Sequence, residues 1–537
     1  MPVIESRVDG RGESFQKNRQ EMLALLEEVR GHEAAQRETA ELAREKFHQR
    51  GQLLPRERLH LLLDRGAPFL ELSALAGFLN LAGDVSDLPS GGINGIGYVS
   101  GVRCLIVVHN SAIKGGTTGP MGLTKYLRAQ EIALKNKLPL VFLAESGGAN
   151  LLHQAEIFVR GGRGFCNQAR LSAEGIPQVT VVHGSSTAGG AYVPGLSDYV
   201  IVVRGRSKIF LAGPPLLKAA TGEIATDEEL GGAELHAMVA GTAEYIADDD
   251  AEAVAIARDV VSKLGWEAHH KPLPADGFQP PHYDPDELAG VAPVDYRKPY
   301  DVREVIARLV DGSDFLGFKD NYGPQTVCGH ASLEGLPLGI IGNNGPIDQF
   351  GAVKAAQFIQ LCCQSNTPIL YLQNTTGYIV GREAESAGII KHGSKMIQAV
   401  ANATVPQLTL NIGASFGAGN YGMCGRSYDP RFLFSWPNAR LSVMGGEQAA
   451  RVMRTITEDK HSRTGTEPDE KALAAMEAEI QRRFEIESSA LFCTSQVWDD
   501  GIIDPRDSRR VIALCLSICR DAELRELRPS SFGVARM

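Results

Sequence analysis

Ile176-Pro177-Gln178-Val179-Thr180-Val181-Val182-His183-Gly184-Ser185-Ser186-Thr187-Ala188-Gly189-Gly190-Ala191-Tyr192 reads as a proline entering a short β-rich run that ends in small residues. Those small residues cannot fill a core, so the stretch predicts a strand, a close-approach turn and a helix start. The chain repeats it 229 positions later, as Val405-Pro406-Gln407-Leu408-Thr409-Leu410-Asn411-Ile412-Gly413-Ala414-Ser415-Phe416-Gly417-Ala418-Gly419-Asn420-Tyr421. Upstream, Leu138-Pro139-Leu140-Val141-Phe142-Leu143-Ala144-Glu145-Ser146-Gly147-Gly148 is answered at the same offset by Thr367-Pro368-Ile369-Leu370-Tyr371-Leu372-Gln373-Asn374-Thr375-Thr376-Gly377. Register kept over about forty residues marks an internal duplication. Two similar domains follow, each with its own small-residue turn.

Glycine at such a turn lets another molecule reach the backbone, and the first turn of a helix offers unpaired N–H groups at the positive end of its dipole. That arrangement suits an oxyanion. A reaction that builds charge on two different oxygens needs two such cradles, and one positioned donor is worth about 3 kcal/mol in a transition state. Carboxyl transfer from N-carboxybiotin to an acyl-CoA makes that demand, since a thioester enolate and a ureido enolate both need holding. The plainer reading, that the small residues only permit tight helix–strand packing, stands beside it.

The 537 residues exceed one domain and suffice for two large cores. A net charge of −10 with both signs mixed argues against nucleic acid and leaves no basic membrane patch. Nine cysteines without a C-x-x-C pair read as reduced, mostly buried thiols rather than a metal or disulfide framework. With no apolar signal core in MPVIESRVDG and no apolar run of spanning length, a cytoplasmic protein is expected.

Residues 14–63 carry Met22, Leu23, Leu25, Leu26 and Val29 at helical spacing, so one or two amphipathic helices are expected there, capping the first domain. From Gly91 short β runs alternate with helices such as Lys125 to Lys137, the texture of stacked β-β-α units. Seven prolines between Trp266 and Pro299 suggest an extended crossing. The expected division is therefore an N-terminal domain over 1–270, a linker over 271–299 and a C-terminal domain over 300–537. After Gly446 the chain is mostly helical, with a turn at Trp498 to Asp507 before a last helix.

Gly184-Ser185-Ser186-Thr187-Ala188-Gly189-Gly190-Ala191-Tyr192, Phe210-Leu211-Ala212-Gly213-Pro214-Pro215, Glu229-Leu230-Gly231-Gly232-Ala233, Gly377-Tyr378-Ile379-Val380-Gly381 and Asp500-Gly501-Ile502-Ile503-Asp504-Pro505-Arg506 resemble the carboxyltransferase β subunit of the biotin-dependent acyl-CoA carboxylases. The match runs from about residue 50 to 520. The resemblance implies an α/β fold of two tandem crotonase-like β-β-α superhelix domains, active sites where the N-domain of one subunit meets the C-domain of another, and a hexameric β6 core. It assigns Gly189 and Gly190 to the acyl-CoA hole and Ala418 and Gly419 to the biotin hole. In the mechanism it implies, carboxybiotin releases CO2, the biotin anion takes the acyl-CoA proton and the enolate attacks CO2, so no side-chain base is required. His183, His236 and His392 are accordingly read as structural or solvated, and no metal is expected. Without a biotin-attachment Met-Lys-Met or an ATP-binding loop, an α subunit must bring biotin carboxylase and carrier domains, giving an expected α6β6 assembly.

Coenzyme phosphates want cations and backbone donors. Lys114 beside Gly115, Lys125 and Arg128 are the candidates, with Gly148, Gly377 and Tyr378 at the paired turns. The run Gln373 to Gly381 resembles the methylcrotonyl-CoA and geranyl-CoA branch, whose substrates share a β-methyl α,β-unsaturation and react at the γ-methyl carbon. Arg160-Gly161-Gly162-Arg163-Gly164-Phe165-Cys166-Asn167-Gln168 carries small residues where methylcrotonyl-type chains tend to carry bulky ones. Gly161, Gly164 and Cys166 would leave room for a longer tail, so geranyl-CoA is the expected substrate and 3-methylcrotonyl-CoA the alternative; the bland reading is that these glycines shape a turn. A crotonase-like hydratase or hydrolase is a more distant alternative, which would need a catalytic acid or base and would leave the second hole unexplained.

Overall fold

The computed structural model describes residues 3–86, 89–269 and 277–530. Its residues form two compact units, one around each copy of the repeat.

The first-half unit is built on a sheet of β1 (Leu70–Leu72), β2 (Ile93–Val99), β3 (Val102–Val108), β4 (Leu140–Ser146), β5 (Gln178–Thr187), β6 (Tyr199–Val203), β7 (Lys208–Phe210) and β8 (Tyr245–Ala247), in the order β1-β2-β3-β4-β5-β6-β8 with β7 beside β5. β1, β2 and β3 pair antiparallel, and from β3 to β8 the ladder is parallel. Parallel strands are covered on both faces, which is why β4 and β5 read as continuous apolar runs. Val141, Leu143, Val179, Val181, Ile201 and Val203 pack in one buried cluster with Val254, Ala257 and Val261 of the helix Asp250–Ser262. Each such side chain contributes about 1.5–3 kcal/mol by leaving water.

The second-half unit repeats the plan with β9 (Leu316–Gly317), β10 (Thr326–Leu333), β11 (Leu336–Asn343), β12 (Ile369–Thr375), β13 (Gln407–Phe416), β14 (Phe432–Ser435) and β15 (Arg440–Ser442), ordered β14-β13-β12-β11-β10-β9 with β15 beside β13. The duplication holds at the level of register. Leu140 pairs with Gln178 and Ser146 with Ser186, with a shift between Ala144 and Ser146. Ile369 pairs with Gln407 and Thr375 with Ser415, with the same shift between Gln373 and Thr375. The helices Pro120–Lys135 and Gln349–Gln364 are also 229 positions apart at both ends. The offset drifts outside this centre, and among the described residues β8 has no counterpart. The expected α/β architecture of two β-β-α domains is present.

Several boundaries differ from expectation. The segment 14–63 forms three helices, Glu13–Glu41, Arg44–Gln49 and Pro55–Leu62. Met1–Arg30 groups with Pro272–Ser517, and Ile518–Met537 with the first half, so the halves are not continuous blocks. Side-chain contacts explain this. Arg30 reaches Asp504 at 2.7 Å and Ser6 lies against Glu304, while at the other end Lys137 Nζ donates to the Arg525 carbonyl at 2.6 Å and the Arg525 guanidinium sits 4.5 Å from the Trp266 ring centre. Of the expected linker, residues 271–276, including Pro272 and Pro274, lie outside the described residues. The remainder is not an extended crossing. Pro285–Glu287 and Leu288–Val291 are helical turns, Leu288 to Ala292 are buried, and the place of a Gly290 side chain is taken by the Phe15 ring.

Candidate active site

Both glycine turns start helices at the ends of paired strands. β5 runs into the 3₁₀ turn Ala188–Ala191 and then Tyr192–Gly195, and β13 runs into the helix Gly417–Gly422. The chain enters both through the same left-handed step, with φ of 52° at Ala188 and 54° at Gly417. A non-glycine residue held there costs roughly 1 kcal/mol, so the turn is imposed by its surroundings. Among the described residues, no acceptor outside the turn is found for the N–H groups of Gly189, Gly190, Ala418 or Gly419. Gly189 and Ala418 are exposed. One helical step on, Tyr192 and Tyr421 are another equivalent pair, 47% and 45% exposed. Each half thus presents open backbone donors beside an exposed aromatic ring.

The two turns use glycine for different reasons. A Cβ on Gly190 would meet nothing closer than Ser186 Oγ at 3.8 Å, and one on Gly189 would touch the Phe165 ring at 3.4 Å. Packing does not demand glycine at Gly190. On Gly419 a Cβ would fall 2.7 Å from the Gly377 Cα and 3.1 Å from Thr375 Cγ2, so there the helix start is wedged against the preceding turn.

Gly148 and Gly377 hold equivalent places, with φ of 94° and 114°. The Gly148 N–H donates to Ser146 Oγ at 3.0 Å and the Gly377 N–H to Thr375 Oγ1 at 3.2 Å. Tyr378 lies between glycines: a Cβ on Gly422 would come within 2.2 Å of its hydroxyl, and one on Gly393 within 3.2 Å of its ring. Its phenol donates to the Gly393 carbonyl at 3.4 Å and burial pushes its pKa up, so it packs beneath the helix that carries Ala418 and Gly419.

Lys114, Gly115 and Gly116 form a left-handed run with φ of 46°, 64° and 69°, and the Lys114 side chain is exposed. Gly116 has no room for a side chain, since a Cβ would lie 2.3 Å from the Glu145 carbonyl oxygen. The other two phosphate candidates are corrected by the structure. Lys125 is buried, its Nζ donates to the Gly92 carbonyl at 2.6 Å, and burial lowers its pKa to about 8 despite the nearby Glu71 carboxylate. Its equivalent in the second half, Lys354, is likewise buried and donates to the Lys319 carbonyl at 3.2 Å. A buried lysine repeated in both copies belongs to the scaffold. Arg128 is also buried and pairs with Glu131 at 2.9 Å.

Gly161, Gly164 and Cys166 do not shape a turn, because all three lie inside the helix Gln154–Ala173. Glycine inside a helix costs about 1 kcal/mol against alanine. Gly164 has a packing reason: its carbonyl accepts from Gln130 Nε2 at 2.9 Å, and a Cβ would stand 3.2 Å from the Tyr126 ring. Gly161 has none, its nearest neighbour being Ile157 at 3.9 Å. Phe165 from the same helix makes an edge-to-face contact with Tyr192 at 5.7 Å, which puts an aromatic wall beside Gly189. Phe165 was read only as one of a run of residues; nothing in its spacing reveals that it touches the turn.

His183 is wholly buried on Asp250 at 2.8 Å and held below its usual pKa by burial and by Arg58. His236 bonds the Ile209 carbonyl at 2.7 Å, and His392 is half-buried, with Lys395 Nζ 3.5 Å from its Nδ1. All nine cysteines are free thiols.

The geometry offers two donor turns on equivalent strands. The chain matches the carboxyl transferase domain family over residues 46–533. It is 50% identical over 509 residues to the biotin-dependent 3-methylcrotonyl-coenzyme A carboxylase beta1 subunit of Mycobacterium tuberculosis, covering 93% of each chain. It is 48% identical over 540 residues to the mitochondrial methylcrotonoyl-CoA carboxylase beta chain of Dictyostelium discoideum, covering 100% of this chain and 91% of that one. Among solved structures it is similar to the beta subunit of P. aeruginosa geranyl-CoA carboxylase, with a TM-score of 0.93, 59% identity and full coverage of both chains. Doubled strand–turn–helix cradles, matched along nearly their whole length by these relatives, make the chain a member of the carboxyl transferase family, among the carboxyltransferase β subunits of the biotin-dependent acyl-CoA carboxylases.

Proposed function

We propose that the chain carboxylates geranyl-CoA at its γ-methyl carbon, with the first-half turn holding the thioester oxygen and the second-half turn the ureido oxygen of biotin. The observation that carries this reading is the pair of open donor turns on equivalent strands, one of which has glycine where packing does not ask for it. Bound biotin supplies the carboxyl group and, once it has given that up, the acceptor for the substrate proton. The chain's own residues orient and stabilise. Gly189 and Gly190 present N–H groups to the oxygen on which enolate charge grows, and Ala418 and Gly419 do the same on the biotin side. Preorganised donors of this kind act without reorganising during the reaction. Lys114 and the Gly115 backbone would meet the coenzyme phosphates, and the turns at Gly148, Gly377 and Tyr378 would shape the two approaches.

A long acyl tail is favoured by the missing side chain at Gly161, one helical turn before the Phe165 that stands beside Gly189, by the small Cys166 on the same helix, and by the 59% identity to a geranyl-CoA carboxylase β subunit. 3-Methylcrotonyl-CoA is the second reading, favoured by the relatives that are 47–50% identical and carry that name. The reading includes a biotin-carrying α subunit, a hexameric core as α6β6, and a cytoplasmic setting in keeping with nine free thiols. The exposed Tyr192 and Tyr421 beside the two turns suit active sites completed between copies. Among the described residues, no helix is long and apolar enough to cross a membrane.

The test is bicarbonate fixation by the chain with its biotinylated partner, across acyl-CoAs from acetyl to geranyl. Highest kcat/KM on geranyl-CoA supports the proposal. A maximum on 3-methylcrotonyl-CoA transfers it to the second reading, and a maximum on acetyl- or propionyl-CoA refutes both.

A further inference from the structure

The two halves share one scaffold, so each serves as a control for the other. A Cβ on Gly184 would lie 2.6 Å from Glu145 Oε1, and a Cβ on the equivalent Gly413 would lie 2.3 Å from Asn374 Oδ1. The same pocket thus holds a carboxylate in the first half and a neutral amide in the second. His183 in β5 is matched by Ile412 in β13. Among the described residues, only the first half has a buried ionic cluster at this place. Arg58, 1% exposed, donates from Nη1 to Glu145 Oε2 and from Nε to Asp250 Oδ2 at 3.0 Å. Asp250 also accepts from His183 Nδ1 at 2.8 Å and the Leu53 N–H at 2.8 Å, and Glu145 from Ser111 Oγ at 2.7 Å and Gln52 Nε2 at 3.3 Å.

Taking charges out of water costs several kcal/mol per ion before pairing offsets it, and apolar or neutral replacements are often no less stable. The second half forms the same strands in the same register with Asn374 and Ile412 in those places, so the strand pairing does not require the cluster. Its contacts show what it serves. Ser111 begins the segment that ends in Lys114-Gly115-Gly116, and the residues after Glu145 hold the far end, with Ser146 Oγ donating to the Gly116 carbonyl at 2.6 Å and the Gly147 N–H to the Gly115 carbonyl at 3.2 Å. On its other side the cluster fixes His183, six residues before Gly189.

We infer that Glu145, clamped by Arg58, is a positioning residue for the acyl-CoA side of the reaction alone: it holds segment 111–116 where Lys114 meets the coenzyme phosphates and steadies the strand that ends at Gly189. This rests on the assignment of acyl-CoA to the first half. The experiment uses the holoenzyme in the reverse direction, varying the carboxylated acyl-CoA as carboxyl donor and free biotin as acceptor, and compares a CoA thioester with the pantetheine thioester that lacks the nucleotide phosphates. Glu145→Gln should raise KM for the CoA thioester about tenfold, equivalent to about 1.4 kcal/mol. KM for biotin should stay within about twofold, and the preference for CoA over pantetheine should shrink by the same tenfold. Glu145→Asp should restore part of the loss. Ser111→Ala, which cuts only the link to the segment, should shift KM in the same direction even if Glu145→Gln does not fold. Equal rises in both KM values, or an unchanged preference for CoA over pantetheine, overturns the inference. A wild-type enzyme whose rate does not depend on any acyl-CoA overturns the underlying assignment instead.

Discussion

Gly190→Ala separates a ligand-binding glycine from a packing one. The nearest atom to the new methyl group is Ser186 Oγ at 3.8 Å, an ordinary van der Waals distance, and Gly190 is absent from the residues held at positive φ. The fold should therefore accept alanine, and because alanine is favoured over glycine in a helical turn by about 0.5–1 kcal/mol, stability should be unchanged or slightly higher. Activity should respond in the opposite direction. Alanine keeps its N–H, but an oxyanion must come within about 2.7–3.1 Å of its donors, and a methyl group that bars the approach acts like the loss of one donor, about 3 kcal/mol or roughly a hundredfold or more in kcat. Steady-state transfer on the preferred acyl-CoA, with thermal unfolding followed in parallel, gives both numbers. A variant at least as stable as the wild type but about a hundredfold slower supports a cradle at Gly190. Wild-type kcat, or a loss of rate that tracks a loss of stability, would refute it.

Gly419→Ala should behave differently, since its methyl group would press on the Gly377 backbone at 2.7 Å; overpacking of this kind costs about 1–3 kcal/mol, so unfolding should shift down together with activity, and an unshifted transition would contradict the wedge. For Gly161→Phe the new Cβ meets only Ile157 at 3.9 Å, whereas a Cβ on Gly164 would stand 3.2 Å from the Tyr126 ring, which makes Gly161 the cleaner probe of tail length. It should reduce kcat/KM on geranyl-CoA about tenfold or more, a change of about 1.4 kcal/mol, with little effect on 3-methylcrotonyl-CoA; equal losses on both would end the volume argument. Asp499 is fully buried, and burial raises its pKa to about 6 from 3.8 in spite of hydrogen bonds from Thr494 and Ser435. The folded state then binds the extra proton between those values, so this group's contribution to stability is present below pH 4 and is lost as pH rises through 6. Asp499→Asn should therefore melt above the wild type at pH 8, by an amount corresponding to roughly 3 kcal/mol, with the gap closing below pH 4; a gap independent of pH would refute the assignment.

The sequence by itself determined the doubled architecture, because a strand, its turn and the following helix must keep a common spacing to pair in one register, and Leu140–Ser146 with Gln178–Thr187 return unchanged at Ile369–Thr375 with Gln407–Phe416. It also paired Gly189 with Ala418 and Gly190 with Gly419 through the 229-residue offset, since only small side chains allow close approach to a helix start. It could not distinguish Gly190 from Gly419, because a glycine required by a neighbouring backbone and one left open for a ligand look the same along the chain. Nor could it sort the lysines: Lys114 and Lys125 are both cations near a glycine turn, and only burial and the carbonyl of Gly92 make Lys125 part of the scaffold. The extended character expected of residues 277–299 failed for a similar reason, as proline content reports an irregular backbone and says nothing of what packs on it. Arg58, Glu145, Asp250 and His183 are scattered over nearly two hundred positions, and no periodicity joins them. Tertiary structure alone decides such a cluster, because its energy comes from removing charges from water together, and that depends on distance in space rather than in sequence.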